Sequence, residues 1–106
     1  MNINNFNDYK YAVLKHMDYR GCLELLAEEA SELSQAALKM IRALDSHGTY
    51  PVNKDKYNTD ICLDNMIEEA TDVFICLQLL NLYASDLLAE KKIKQMVERF
   101  EELKEK

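Results

Sequence analysis

The feature that most restricts the fold of this chain is its near lack of turn-forming residues. Its 106 residues include only 2 glycines and 1 proline. β-Sandwiches and barrels reverse direction many times and use glycine and proline at those turns, so both classes are disfavoured. An apolar fraction of 48% also argues against a disordered chain. We therefore expect an all-α protein, with residues 1–106 forming one domain.

Apolar residues recur at intervals of three and four in four segments, which predicts four helices. We expect these helices at about residues 5–19, 22–44 and 59–84, and from Ser85-Asp86 onward, where that pair forms an N-cap. Arg20-Gly21 is predicted to separate the first two. No glycine or proline separates the last two, so one continuous bent helix is the alternative there.

Two of the predicted helices carry long apolar stripes that should form the core. The stripes are Leu23, Leu26, Ala30, Leu33, Ala37, Met40 and Leu44 in the second helix, and Met66, Ala70, Val73, Leu77, Leu80 and Ala84 in the third. The polar segment 45–60 between them reads as a long loop. A loop of that length is uncommon in so small a domain and indicates a function or a lid.

The charge and the cysteines narrow the class of protein. The net charge is −6, and the excess lies in residues 1–89, which hold 14 acidic and 7 basic residues. This sign argues against binding to nucleic acid or to an anionic membrane. Three widely spaced cysteines, without a CxxC pair, fit reduced thiols in a cytoplasmic protein. No apolar run is long enough for a membrane span, and no signal peptide is expected.

Two similar acidic clusters occupy the second and third predicted helices, and we identify no other internal repeat. Each cluster holds two carboxylates three residues apart, Glu29/Glu32 and Glu69/Asp72. Such a pair lies on one helix face, one turn apart. These acids stand beside the apolar stripes, where solvated acids are not expected. The simpler interpretation, surface acids on solvated helices, carries about equal weight from spacing alone.

Antiparallel packing of the two helices would bring the four carboxylates together. Acids crowded in a partly buried site cannot all stay ionised without help. Divalent cations would remove that conflict, and ligation by oxygen alone, without histidine or cysteine, favours Mg²⁺ or Mn²⁺. The clusters therefore predict a hard-metal site.

The segments EEASE (28–32) and EATD (69–72) resemble the EExxE…ExxD pattern of the MazG-like nucleoside triphosphate pyrophosphohydrolases, an all-α superfamily. Their surroundings, LAEEASELSQAALKMIR and NMIEEATDVFICLQLL, also look like that family's two core helices, so the resemblance covers roughly residues 22–84. The 37 positions between Glu32 and Glu69 are more than in compact members.

The resemblance implies a four-helix bundle completed by dimerisation, as a homodimer or tetramer with the active site near the subunit contact. It implies hydrolysis of a nucleoside triphosphate, an NTP or dNTP, to the monophosphate and pyrophosphate, for pool sanitation or dNTP control. The implied metal ligands are Glu29, Glu32, Glu69 and Asp72. Apolar residues on the first and last predicted helices independently favour an oligomer.

Four further residues are candidates for the site. Lys39, seven residues after Glu32 on the same helix face, and Arg42, about one turn further, could hold phosphate oxygens. The simpler account is that cations are favoured near a helix C-terminus. Glu28 and Glu68 are weaker candidates for positioning the attacking water, and a solvated face is the alternative for both.

Two other functions stay open on the sequence alone. The chain could be a non-catalytic helical interaction module, in which the acids only confer solubility. It could also be a metal-binding regulator that lacks catalysis. The absence of a GxxxxGK motif disfavours transfer of a terminal phosphate by a P-loop, and no Ser-His or Cys-His arrangement indicates a covalent route.

Overall fold

The computed structural model describes residues 5–45 and 59–105, and within these ranges the chain forms four α-helices and no strand. The helices are α1 (Phe6–Leu14), α2 (Tyr19–Asp45), α3 (Thr59–Leu79) and α4 (Asp86–Glu105). The predicted all-α class is confirmed for the described residues. The predicted loop lies outside them, except at its two ends, which belong to α2 and α3.

α2 begins three residues earlier than predicted, because Asp18 caps it. The Asp18 carboxylate accepts a hydrogen bond of 2.8 Å from the Gly21 backbone N–H, as an N-cap side chain does. A Cβ at position 21 would approach that carboxylate to 3.1 Å, so glycine fits this first turn. Gly21 therefore belongs to the start of α2 and does not separate two helices.

α3 and α4 are separate helices, which excludes the continuous bent helix. α3 ends in a Schellman motif: Leu82 N–H donates to the Leu77 carbonyl and Asn81 N–H to the Gln78 carbonyl, with Asn81 at φ 56°. Asparagine tolerates this left-handed conformation. Ser85 then caps α4 as predicted, because its hydroxyl accepts from Leu88 N–H at 3.3 Å.

α2 and α3 pack against each other as an antiparallel hairpin, which is the main tertiary contact between the described helices. Cys22 lies near Cys76, Glu29 near Glu69, and the carbonyl of Lys39 near the Cys62 thiol, so residue numbers rise on one helix as they fall on the other. The buried side chains along the hairpin are mostly small: Cys22, Ala36, Ala43, Cys62, Cys76 and, larger, Leu79. Small side chains let the two backbones approach closely.

α1 is held by one buried lysine. Lys10 is only 8% exposed, and its ammonium donates to the Asn81 side-chain carbonyl and, at 3.2 Å, to the Tyr83 hydroxyl. The same ammonium lies 5.8 Å from the centroid of the Tyr83 ring. This contact ties α1 to the segment that follows α3.

α4 makes no close backbone contact with α1, α2 or α3. Its apolar side chains are exposed, from 48% at Met96 to 81% at Leu87. The Cα radius of gyration is 18.6 Å, whereas a compact domain of this length has about 13 Å. The described part of one chain is thus a helical hairpin with α1 attached to it and α4 apart from the other helices. None of these helices is long and apolar enough to cross a membrane.

Candidate metal centre

Two glutamates occupy the contact line between α2 and α3. The buried and half-buried positions of α2 run through Cys22, Leu26, Glu29, Leu33 and Ala36, at alternating intervals of four and three. The α3 positions run equivalently through Cys62, Met66, Glu69, Val73 and Cys76. Glu29 and Glu69 therefore stand where a core residue is expected.

This contact line corrects the predicted stripes. The predicted stripes include Leu23, Ala30 and Leu44 of α2, Ala70 of α3, and Ala84, which lies after the end of α3, but all five are exposed. The apolar arc of each helix is wider than the contact with the other helix. Because the small cysteines and alanines permit the closest approach, the contact is centred about one position earlier in the sequence than predicted.

The hairpin brings carboxylates from both helices to one point. Ligand-competent oxygens of Glu29, Glu32 and Glu69 all lie within 4.8 Å of one another. One oxygen of Glu29 and one of Glu69, Oε2 in each, is buried without a hydrogen-bond partner. Burying a carboxylate oxygen without a partner is costly. This arrangement is therefore suited to a cation among the three side chains.

Asp72 lies beside this trio but outside the 4.8 Å group. It is half-buried, and its charge contributes to the raised pKa of both Glu29 and Glu69. Asp72 is thus within electrostatic reach of Glu29 and Glu69, and the other three predicted ligands converge within 4.8 Å. Whether they ligate a metal stays a prediction.

The pKa values of the two contact-line glutamates, Glu29 and Glu69, reflect this crowding. Partial burial raises the pKa of Glu29 above its ordinary value of 4.5, and repulsion from Glu32 and Asp72 raises it further. Burial likewise raises the pKa of Glu69, with repulsion from Glu32 next in importance. Both shifts favour the protonated acids, and a bound cation would favour the ionised forms instead.

Sequence reasoning missed how far the two helices resemble each other. Residues 22–36 (CLELLAEEASELSQA) align with residues 62–76 (CLDNMIEEATDVFIC) without a gap, with five identical positions. The signal was present in the 40-residue offset between the acidic clusters. Since the helices are antiparallel, the repeat gives the hairpin an approximate twofold axis that passes between Glu29 and Glu69.

Three cysteines flank the carboxylates along the contact line, and all are free thiols. Cys22 and Cys76 lie on one side of the acids and are each 1% exposed. Burial, followed by the charges of Glu29 and Asp72, raises the pKa of the Cys76 thiol. On the other side the Cys62 thiol donates to the Lys39 carbonyl at 3.9 Å. The Cys76 shift disfavours the thiolate, so carboxylate oxygen is the stronger donor at this point.

The four other predicted site residues, Glu28, Glu68, Lys39 and Arg42, are all exposed. Glu28 and Glu68 directly precede Glu29 and Glu69 in the sequence, and the charge of Glu68 adds to the raised pKa of Glu69. Lys39 and Arg42 lie on the same side of α2 as Glu32, about 10 and 15 Å further along the helix axis. The structure thus places these cations apart from the carboxylates, in line with them.

Comparison with protein-family models, with curated proteins and with solved structures finds no match.

Proposed function

We propose that this chain is a divalent-metal-dependent nucleotide pyrophosphohydrolase of the MazG-like type. The observation that carries the proposal is the convergence of Glu29, Glu32 and Glu69 within 4.8 Å at the centre of the hairpin, with two buried oxygens lacking a partner. Acids that only solubilise a surface are not expected on a helix contact line, where they repel each other. Acids that bind a cation are expected to lie close together, because the cation offsets their repulsion.

The donor set favours Mg²⁺, with Mn²⁺ as an alternative. The converging atoms are all carboxylate oxygens, which hard cations prefer. Asp72 would complete the ligand set beside the trio. A bound ion of this kind would neutralise phosphate charge and supply an activated water.

Exposed residues around the trio would bind and orient the nucleotide. Lys39 and Arg42, on the carboxylate side of α2, would hold the oxygens of the departing pyrophosphate. Glu28 and Glu68, each exposed and next in sequence to Glu29 and Glu69, would orient the attacking water. The substrate would be an NTP or dNTP, cleaved between its α- and β-phosphates, in nucleotide pool sanitation or dNTP control in the cytoplasm.

The enzyme would act as a homodimer or tetramer in which chains complete a four-helix bundle. The small core of a single chain supports this proposal, because only one large apolar side chain, Leu79, is buried in the described part. Isolated helical hairpins seldom have enough core to be stable alone.

Hydrolysis in ¹⁸O-labelled water with Mg²⁺, across a panel of NTPs and dNTPs, tests the reaction. Attack at the α-phosphorus leaves the label in the monophosphate. Label only in pyrophosphate would place the attack at the β-phosphorus. Release of inorganic phosphate and a diphosphate would exclude a pyrophosphohydrolase.

Metal binding without turnover on any nucleotide of the panel would favour a regulator instead. If Mg²⁺ neither binds nor supports turnover, a non-catalytic interaction module is the better description.

A further inference from the structure

Two of the three cysteines lie at the same end of the α2–α3 hairpin, where α2 begins and α3 ends. We call this the open end. Cys22 is in the first turn of α2, and Cys76 is in the last turn of α3. Each side chain is 1% exposed, and both thiols are free. Two buried thiols on packed helices can form a bond if the helix register places them opposite each other.

The register of the hairpin follows from the carboxylates. Glu29 of α2 lies opposite Glu69 of α3, with carboxylate oxygens within 4.8 Å. Cys22 lies seven residues before Glu29. Cys76 lies seven residues after Glu69. Seven residues are about two helical turns on one face, or about 10 Å, and in antiparallel helices both steps lead toward the open end. Cys22 and Cys76 therefore face each other there.

Electrostatics and helix dimensions agree with this register. The charge of Cys22 contributes to the raised pKa of the Cys76 thiol, so the two sulfurs are within electrostatic reach. The axes of packed helices lie about 8–10 Å apart, and each Cα lies about 2.3 Å from its axis. Directly facing Cα atoms are then about 3.5–5.5 Å apart, which overlaps the roughly 4.4–6.8 Å that a disulfide spans. The pair can be bridged without a large movement of either helix.

The third cysteine provides an internal contrast. Seven residues from the carboxylates in the opposite direction, the same register places Cys62 opposite Ala36, and both are buried. The Cys62 thiol donates to the Lys39 carbonyl at 3.9 Å. The approximate twofold axis of the hairpin relates this position to the pair at the open end. Only the open end therefore has a thiol on both helices.

We propose that Cys22 and Cys76 are a redox-sensitive pair that forms an intrachain disulfide with a small-molecule disulfide, such as oxidised glutathione, as the oxidant. The thiolate of one cysteine attacks the oxidant and releases one glutathione, and the second thiolate then attacks the mixed disulfide and releases another. The two electrons and two protons that the cysteines lose are carried away by the two glutathione thiols. Helix ends open locally at low cost, which gives the oxidant access to these buried thiols.

The disulfide acts as a staple at the open end. It closes residues 22–76 into one covalent loop and so restricts the unfolded chain. It also holds the helices together against the repulsion among Glu29, Glu32 and Glu69. The oxidised protein is therefore more stable than the reduced protein. This inference does not rest on the proposed hydrolase activity.

Equilibration in glutathione redox buffers, with and without urea, tests the pairing. After acid quenching and alkylation, the intact mass counts the disulfides, and non-reducing peptide maps locate them. We expect the 22–76 bond to be the main disulfide in native buffer, with an effective concentration at least about tenfold higher than in urea. A different main pairing, a bond between chains, or equal effective concentrations in the two buffers would overturn the proposal.

Matched variants separate the pair from the third cysteine. Cys62→Ala should retain the intrachain bond, whereas Cys76→Ala should form none in native buffer, and Cys22→Ala replaces it if it does not fold. The double variant Cys22→Ala/Ala36→Cys is a positive control, because the approximate symmetry predicts a 36–62 bond. Absence of the 22–76 bond from the wild-type chain overturns the proposal, whether or not the control bond forms.

Thermal unfolding in EDTA measures the staple. Oxidation should raise the Tm of the wild-type chain and of Cys62→Ala by about 10 °C and leave the Tm of Cys76→Ala unchanged. A cross-linked protein that is no more stable than the reduced one would refute the staple. No measurement here requires nucleotide turnover, so this inference and the proposed pyrophosphohydrolase activity can fail independently.

Discussion

At the scale of single residues, the notable fact is that two glutamates sit where a helical hairpin should place apolar side chains. Glu29 and Glu69 are half-buried, with one oxygen of each unpaired. Exposed acids such as Glu24, which pairs with Arg20 at 3.0 Å, have no such conflict. Substituting glutamine for Glu29 or Glu69 removes the charge, whereas a bound cation neutralises the charge and leaves the carboxylate in place. We expect these two changes to have different effects on the stability of the protein.

Mg²⁺ should stabilise the protein, and the ligand variants should lose that effect. At a concentration 100-fold above its Kd, a bound ion adds about 2.7 kcal/mol, on the order of 10 °C in Tm. Changing Glu29, Glu32 or Glu69 to Gln, or Asp72 to Asn, should abolish most of the shift and of the Mg²⁺-dependent activity. Glu98→Gln, on exposed α4, is the control in thermal unfolding. The ligand assignment is wrong if all four variants keep full activity.

The metal-free protein should become less stable as the pH rises from about 4.5. The folded state holds protons on Glu29 and Glu69 at pH values where the unfolded chain has lost them, because both pKa values are raised. Stability from these acids is therefore full below the unfolded pKa and is lost as the pH rises through the folded values. Urea unfolding in EDTA at about pH 5 and about pH 7 measures the difference.

The double variant Glu29→Gln/Glu69→Gln isolates the contribution of the two acids to that pH dependence. It should show a smaller change in the free energy of unfolding between the two pH values. An unchanged slope would assign the pH dependence to other groups.

At the scale of helices, the sequence predicts the end of a helix correctly where the capping residue is identified, and incorrectly where it is not. Ser85 was identified, and α4 begins directly after it. Arg20-Gly21 predicts a break between α1 and α2, whereas the Asp18 carboxylate caps α2 at this point and a glycine in the first turn fits closely under it. The end of α3 depends on the left-handed conformation of Asn81 and on Leu82 folding back to Leu77.

The attachment of α1 to α3 should depend on Lys10. Lys10→Met keeps the apolar stem but removes an ammonium that donates to Asn81 and Tyr83. We expect a loss of about 1.5–3 kcal/mol, the range for hydrogen bonds to charged groups, measured as a lower urea midpoint. Limited proteolysis should also cleave more rapidly at residues 15–18. Lys15→Met, at an exposed position of the following turn, should change neither.

At the scale of the whole molecule, the described part of one chain has a small core. Its helices bury few large side chains, and α4 packs against none of the others described. Stability supplied by the proposed second chain would depend on protein concentration, because association would draw the equilibrium toward the folded dimer.

The thermal midpoint should therefore rise with protein concentration over a dilution series. Phe74→Glu, which places a charge at an exposed large apolar side chain of α3, should weaken the dependence if that side chain lies in the contact. A midpoint independent of concentration, in a chain that stays dimeric throughout, would show that assembly adds little to folding.

The sequence by itself determined the helical class, the Ser85 cap of α4 and the presence of two carboxylate pairs beside apolar stripes. These features depend on contacts between residues three or four apart, which periodicity records directly. The tertiary structure decided which stripe faces which helix. Cys22, Ala36, Cys62 and Cys76 permit the closest approach, and this choice puts Glu29 and Glu69 on the contact line while leaving Ala30 and Ala70 exposed. Periodicity alone could not decide this, because both helices have apolar arcs wide enough for two partners, and only packing shows which part of each arc the hairpin uses.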